Sequence, residues 1–146
     1  MGPESQEREA TQEEISKMCD IVREAMRAGA LGISSSYVDI DENGDPVPSR
    51  FAGFDEKVAL AQAMGESGRG IWQVVPYFPD MKQQLDNIRE LGDISLAANV
   101  PCSLQPVLSS PTSPNAEELI EALEREQARG ARVFGQTMPR LSLIHI

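Results

Sequence analysis

The sequence predicts an α/β fold, a partial (β/α)8 TIM barrel of about four βα units with parallel strands. Three observations predict it. Helical and strand-like segments alternate along the chain, with strands starting near residues 30, 71, 102 and 132; alternation of this kind argues for a parallel sheet. Tight glycine turns join helix to strand. The strands are short apolar runs without strict alternation, as expected when both faces are covered. Spacing near 30 residues per unit suits a barrel, although a doubly wound sheet shares that cadence. Four strands do not close a barrel, so the alternatives are an open sheet or part of a ring.

Thr11-Gln12-Glu13-Glu14 reads as a capping box, with Thr11 as N-cap and Glu14 three residues on. Ile15, Met18, Cys19, Val22, Ala25 and Met26 then form one helical stripe. Gly29 supplies the stop, and residues 30–36 form the first strand, ending in Ser34, Ser35 and Ser36. Asp41 to Pro46 is a turn, and Asn43-Gly44 fits a small hairpin between residues 37–40 and Val47. A second helix runs from about Phe54 to Glu66 and breaks at Gly68 and Gly70. Residues 71–77 form the second strand. Pro79-Asp80 opens a third helix with Met81, Leu85, Ile88 and Leu91 on one face, and a kink is expected at Gly92-Asp93. Residues 102–108 form the third strand, and Ser109 to Pro114 a loop. Asn115 to Glu118 caps a fourth helix, which Gly130 ends, and residues 132–138 form the fourth strand.

The chain has 146 residues, enough for one domain with a real core. Its formal net charge of −10 repels a phosphate backbone, which argues against nucleic acid and against an anionic membrane surface as partners. No apolar run approaches bilayer length, and the first nine residues have neither the basic nor the apolar region of a signal peptide. Cys19 and Cys102 are unpaired in any CxxC spacing and lie in apolar patterns, so they read as buried free thiols. These features point to the cytoplasm.

Residues 10–36, from Ala10-Thr11-Gln12-Glu13-Glu14-Ile15 to Gly29-Ala30-Leu31-Gly32-Ile33-Ser34-Ser35-Ser36, resemble the N-acyl-D-amino-acid deacylase (D-aminoacylase-like) group of the amidohydrolase superfamily. Pro46 to Ala52, Ser67 to Gln73 and Gly135 to Arg140 extend the resemblance over about residues 10–140. It implies a metal-dependent barrel hydrolase that cleaves a C–N amide bond, with zinc as the usual metal. The family's ligands are a His-x-His pair on the first strand, histidines ending the fifth and sixth, and an aspartate on the eighth. The strands here correspond to about the fourth to the seventh. The two strand-end histidines would fall on or near Val75 and Gln105, where neither residue replaces them as a zinc ligand. The resemblance thus implies a 1–140 segment that binds no metal by itself, lacks catalytic residues, is inactive alone, and has the missing barrel segments and a small-molecule substrate as partners. It also places Met1 inside a longer chain.

Residues 141–146, Leu-Ser-Leu-Ile-His-Ile, are expected to be foreign. They match the translation of a transposon-end adapter used in sequencing libraries (CTGTCTCTTATACACATC); the alternative is a genuine short apolar tail. The single histidine, His145, lies in this hexapeptide.

The candidate substrate-binding residues are Ser35, Ser36, Gln105 and Gln136. The serines end a strand, where barrel sites gather, and the bland reading is that they cap the turn. The glutamines interrupt apolar strands, so they line the barrel mouth or bond a loop. Trp72 and Tyr77 read as core or loop packing. Glu117, Glu118, Glu121, Glu124 and Glu126 read as a solvated helix face. Asp39, Asp41 and Asp45 resemble a calcium loop but lack its terminal glutamate. The second reading of the whole is a small non-catalytic α/β binding or interaction domain.

Overall fold

A computed structural model describes residues 2–107 and 116–137. The loop at Ser109–Pro114, the Asn115 cap, Met138–Arg140 and the 141–146 tail with His145 lie outside the described residues.

The elements run α1 (Gln12–Ala28), β1 (Gly32–Ser36), α2 (Phe54–Gly65), β2 (Ile71–Val75), α3 (Met81–Ala98), β3 (Cys102–Leu104), α4 (Ala116–Ala128) and β4 (Val133–Gly135). Short 3-10 turns at Gly2–Gln6 and Pro48–Arg50 add to these; sequence periodicity did not indicate either. The α1 capping box forms as read. Thr11 Oγ1 accepts from the Glu14 amide at 3.3 Å, and Glu14 Oε2 accepts from the Thr11 amide at 2.8 Å. Gly29 closes the helix at φ 110°, and its amide reaches the Ala25 and Met26 carbonyls. Three residues on, Gly32 lets β1 approach β2 closely: a Cβ there would overlap the Ile71 carbonyl oxygen.

The strands are shorter than the sequence predicts. β2 stops before Pro76, and β3 ends two residues before Pro106; proline has no N–H for the ladder. The third helix is not interrupted at Gly92-Asp93, where the sequence predicts a kink. α3 is continuous from its Asp80 cap, which accepts from the Gln83 amide at 2.8 Å, to Asn99 in the left-handed region. Gly92 serves packing instead, because a Cβ there would run into the Glu126 carboxylate of α4. Glu126 is accordingly buried and paired with Arg129, so it does not belong to the solvated face formed by Glu117, Glu118, Glu121 and Glu124.

All four strands are parallel and lie in the order β1-β2-β3-β4. A doubly wound sheet reverses strand order at a switch point; no reversal occurs among these strands. The helices follow the same order, α1 on α2, α2 on α3 and α3 on α4. They cover one face of the sheet, as the outer layer of a barrel does. Trp72, Val74, Cys102, Leu104 and Val133 meet Met26, Met64, Ile88, Leu91, Ile94, Leu119 and Leu123 in one core between sheet and helices.

Candidate functional site

Register decides what each face of the sheet carries. Ile33, Trp72, Cys102 and Val133 stand in one row, and Ser35, Val74, Leu104 and Gly135 in the next row but one, so these share a face. That face is the helix-covered one, since its members belong to the core. The opposite, open face carries Ser34, Gln73, Ser103 and Phe134 in one row, and Ser36 and Val75, extended to Gln105 and Gln136, in the row nearer the strand C-termini. In parallel α/β structures sites form at those strand ends.

Two of the four candidate residues, Gln105 and Gln136, lie on the open face, each bonded to a different polar neighbour. Gln73 Nε2 donates to Gln105 Oε1 at 3.0 Å, and Gln136 Nε2 donates to Ser103 Oγ at 2.8 Å. Gln105 is held by its backbone, whose amide donates to the Val74 carbonyl; the Gln136 amide donates likewise to Leu104. Gln73 and Ser103, one open-face row earlier, are polar members of this face that sequence reasoning missed. The signal was present: each is a polar residue in an otherwise apolar strand, as Gln105 and Gln136 are.

The serines go elsewhere. Ser35 falls on the helix side of β1. Ser36 is buried, and its Oγ accepts from the Val38 amide at 3.1 Å and the Asp39 amide at 3.0 Å, capping the chain as it leaves the sheet. Ser34 is exposed on the open face, in register with Gln73.

Behind the sheet, three polar groups lock the loop that follows β1. The Tyr37 hydroxyl donates to Glu90 Oε2 at 2.5 Å, and Lys57 Nζ donates to Glu90 Oε1 at 2.8 Å while lying 4.6 Å from the centre of the Tyr37 ring. Tyr37 and Lys57 flank the loop on either side. Burial, then the Glu90 charge, pushes the Tyr37 phenol well above its ordinary range. Within the loop, Ile40 and Pro46 form an antiparallel bridge, so the small hairpin is present. Asp41 Oδ1 accepts from the Asn43 and Asp45 amides, and Asp41 Oδ2 accepts from Gln6, so this aspartate holds a turn. Arg50 lies over the Tyr77 ring at 5.6 Å, a cation–π contact between loops. Trp72 is buried in the core. Cys19 and Cys102 are buried free thiols, and burial pushes Cys102 up to about 12. A cleft of about 390 Å³ lies between Arg8, Met18, Phe51 and Glu56, bordered by Ser49, whose Oγ donates to the Ser36 carbonyl at the end of β1 at 3.3 Å.

The arc does not fit a zinc ion. Among the described residues, no three His, Cys, Asp or Glu side chains come together in an arrangement that would hold a metal. At the strand ends Val75 offers no donor atom, and the Gln105 carbonyl oxygen already accepts from Gln73. No helix among the described residues is long and apolar enough to cross a membrane.

No protein-family model matches the chain, and no curated protein matches it. A solved structure does. The chain superposes over 92% of its length on a D-aminoacylase mutant in complex with copper(II) chloride, with a TM-score of 0.72 and 21% sequence identity. The fold is therefore that of a partial TIM barrel, an arc of four parallel αβ units. In particular it is similar in fold to the corresponding arc of D-aminoacylase. The chain spans 27% of the length of that protein.

Proposed function

We propose that the chain is part of an amidohydrolase-type hydrolase acting on non-peptide C–N amide bonds, with N-acyl-D-amino acids as the substrate class. The observation that carries this reading is the likeness to D-aminoacylase over 92% of the chain at a TM-score of 0.72. The open face fits a supporting role: it presents neutral hydrogen-bonding groups at the strand ends and no nucleophile with an attached base. In this reading the arc is inactive alone and forms one wall of a site completed by further barrel strands. Any metal ion, the zinc implied by the resemblance included, is held by those strands. The buried free thiols support a cytoplasmic setting.

The test measures release of free amino acid from N-acetyl-D-methionine and N-acetyl-L-methionine. The chain alone is expected to release none. A polypeptide that carries this arc together with the remaining barrel strands is expected to hydrolyse the D-substrate preferentially. A folded polypeptide of that kind that cleaves neither substrate overturns the reading and leaves the non-catalytic binding domain in its place.

A further inference from the structure

The arc has two free edges. Among the described residues no strand lies beyond β1 or beyond β4. Leu31 and Tyr37 bond β2, and Arg132 and Gln136 bond β3. The alternation of a ladder therefore turns the backbone groups of Gly32, Ser34 and Ser36, and of Val133 and Gly135, toward the free edges. Side chains hold one carbonyl on each edge: Ser49 Oγ donates to Ser36 and Gln127 Nε2 to Val133. Water readily hydrates the others, so the edges by themselves name no partner.

The helices beside those edges say more. On α1, Cys19 packs with Ala63 of α2, and Arg23 pairs with Glu66 at the end of α2. Ile21 lies about 160° round the helix from both, at about 100° per residue. It is 65% exposed, and Ala25, one turn on, is exposed beside it. At the other end of the arc, Glu126 meets Gly92 of α3, and Arg129, just past α4, pairs with Asp93. Ile120 lies about 120° and about 180° from those two, and it is 46% exposed. Each terminal helix thus carries an exposed isoleucine away from its neighbouring helix. On the open face Phe134 is 50% exposed.

We propose that two copies of this chain associate about a two-fold axis, β4 of each against β1 of the other, and close an eight-stranded parallel ring. Four strands in unbroken order are half of the eight that close such a barrel. A two-fold axis uses each edge once and leaves none open. The helix needed to cover each new junction is present, because α1 precedes β1. The stagger of the helices matches as well. Arg23 and Asp93 each lie nine positions before their strand, and they meet Glu66 and Arg129, five and four positions before the next strand. Ile120 lies thirteen positions before β4, so the same stagger sets it level with residues 23–24 of the second copy, between Ile21 and Ala25. Closure also turns the open face into the interior of the ring and covers Phe134. The net charge of −10 on each copy opposes association, but Gly32–Ser36 and Val133–Gly135, which meet, contain no acidic or basic residue. The proposal rests on the arc and not on the hydrolytic reading, so a protein that cleaves no amide leaves it standing.

The experiment is sedimentation equilibrium of the full chain at about 0.15 M salt, where a Debye length of about 8 Å screens the net charge. A species of twice the 16.0 kDa chain mass is expected, with a dissociation constant in the micromolar range or tighter. Ile21→Glu is expected to weaken it about tenfold at each junction, about a hundredfold in all, because the axis repeats the change. Ile120→Lys weakens it in the same way. The double variant sets Glu against Lys and is expected to dimerise more tightly than either single variant. Both positions are exposed, so the variants keep the fold, and circular dichroism with urea unfolding checks that. A wild-type monomer at micromolar concentration overturns the proposal and leaves both edges to further strands of a longer polypeptide. Assembly that grows past two copies overturns the closed ring. A folded Ile21→Glu chain that dimerises as the wild type does, or a double variant no tighter than its singles, overturns the α4–α1 junction.

Discussion

The Tyr37 hydroxyl and the Glu90 carboxylate meet at 2.5 Å between the sheet and α3, with the Lys57 ammonium on the other carboxylate oxygen. Lys57 is 7% exposed, and Glu90 is its ion-pair partner. Replacing Glu90 by Gln leaves a buried ammonium without its counter-charge, a change that typically destabilises strongly. We expect Glu90→Gln to lower stability by about 3 kcal/mol in chemical denaturation. The loop between Tyr37 and Lys57 should also lose protection in hydrogen exchange more than the rest of the chain does.

The same triad sets an alkaline limit. In the unfolded chain the Tyr37 phenol ionises near its ordinary 10, while burial in the fold holds its proton to higher pH. The unfolded state then binds fewer protons above pH 10, so this contribution is complete below that pH and is lost as pH rises further. Cys102, raised from 9 to about 12, acts in the same sense from pH 9 upward. Denaturant titrations between pH 8 and 11.5 should show stability falling, with a shallower fall in Tyr37→Phe. Equal slopes in the two proteins would show that Tyr37 ionises freely.

Two glycines in one motif should respond differently to alanine. At Gly32 a Cβ overlaps the Ile71 carbonyl oxygen, which is backbone and has no way to yield without parting β1 from β2. Gly32→Ala should cost about 3 kcal/mol. At Gly29 nothing lies within 4 Å of a Cβ, and only the left-handed backbone is strained. Gly29→Ala should cost about 1 kcal/mol. Urea midpoints of the two variants give the comparison.

Cys102 sits in the core, fully buried, with its thiol shifted far from neutral pH. A thiol reagent acts on the thiolate. At pH 8 the native chain should therefore leave Cys102 unlabelled under conditions that modify it quickly in urea. Rapid labelling of Cys102 in the native chain would mean that the sheet–helix core opens.

Much of this was legible in the residues. Thr11, Glu14 and Gly29 announce both ends of α1 because capping is local chemistry. Helix–glycine–strand spacing gives the alternation. What spacing cannot supply is strand order. An open, doubly wound sheet and a barrel arc share the same cadence, and only the pairing of β1 with β2, β2 with β3 and β3 with β4 separates them. The open face was half legible. Gln105 and Gln136 stand out as polar residues in apolar strands, but three consecutive serines carry no alternation, so their sidedness was hidden. Register then sends Ser35 to the helices and Ser36 into a turn. Glu126 looked solvated because of its charge, although Leu119, Ala122 and Leu123 at helical spacing before it form the buried stripe. Gly92, one helix away, makes the room that buries it.

The ends of β2 and β3 stand side by side, which puts Val75 and Gln105 next to each other on the open face. The most direct measurement is zinc titration of Val75→His/Gln105→His, followed by calorimetry and by the imidazole NMR signals. If register and facing are as described, the two imidazoles share one ion, and the double variant binds zinc about a hundredfold more tightly than either single variant. A double variant that folds but binds zinc no better than its singles would contradict the account.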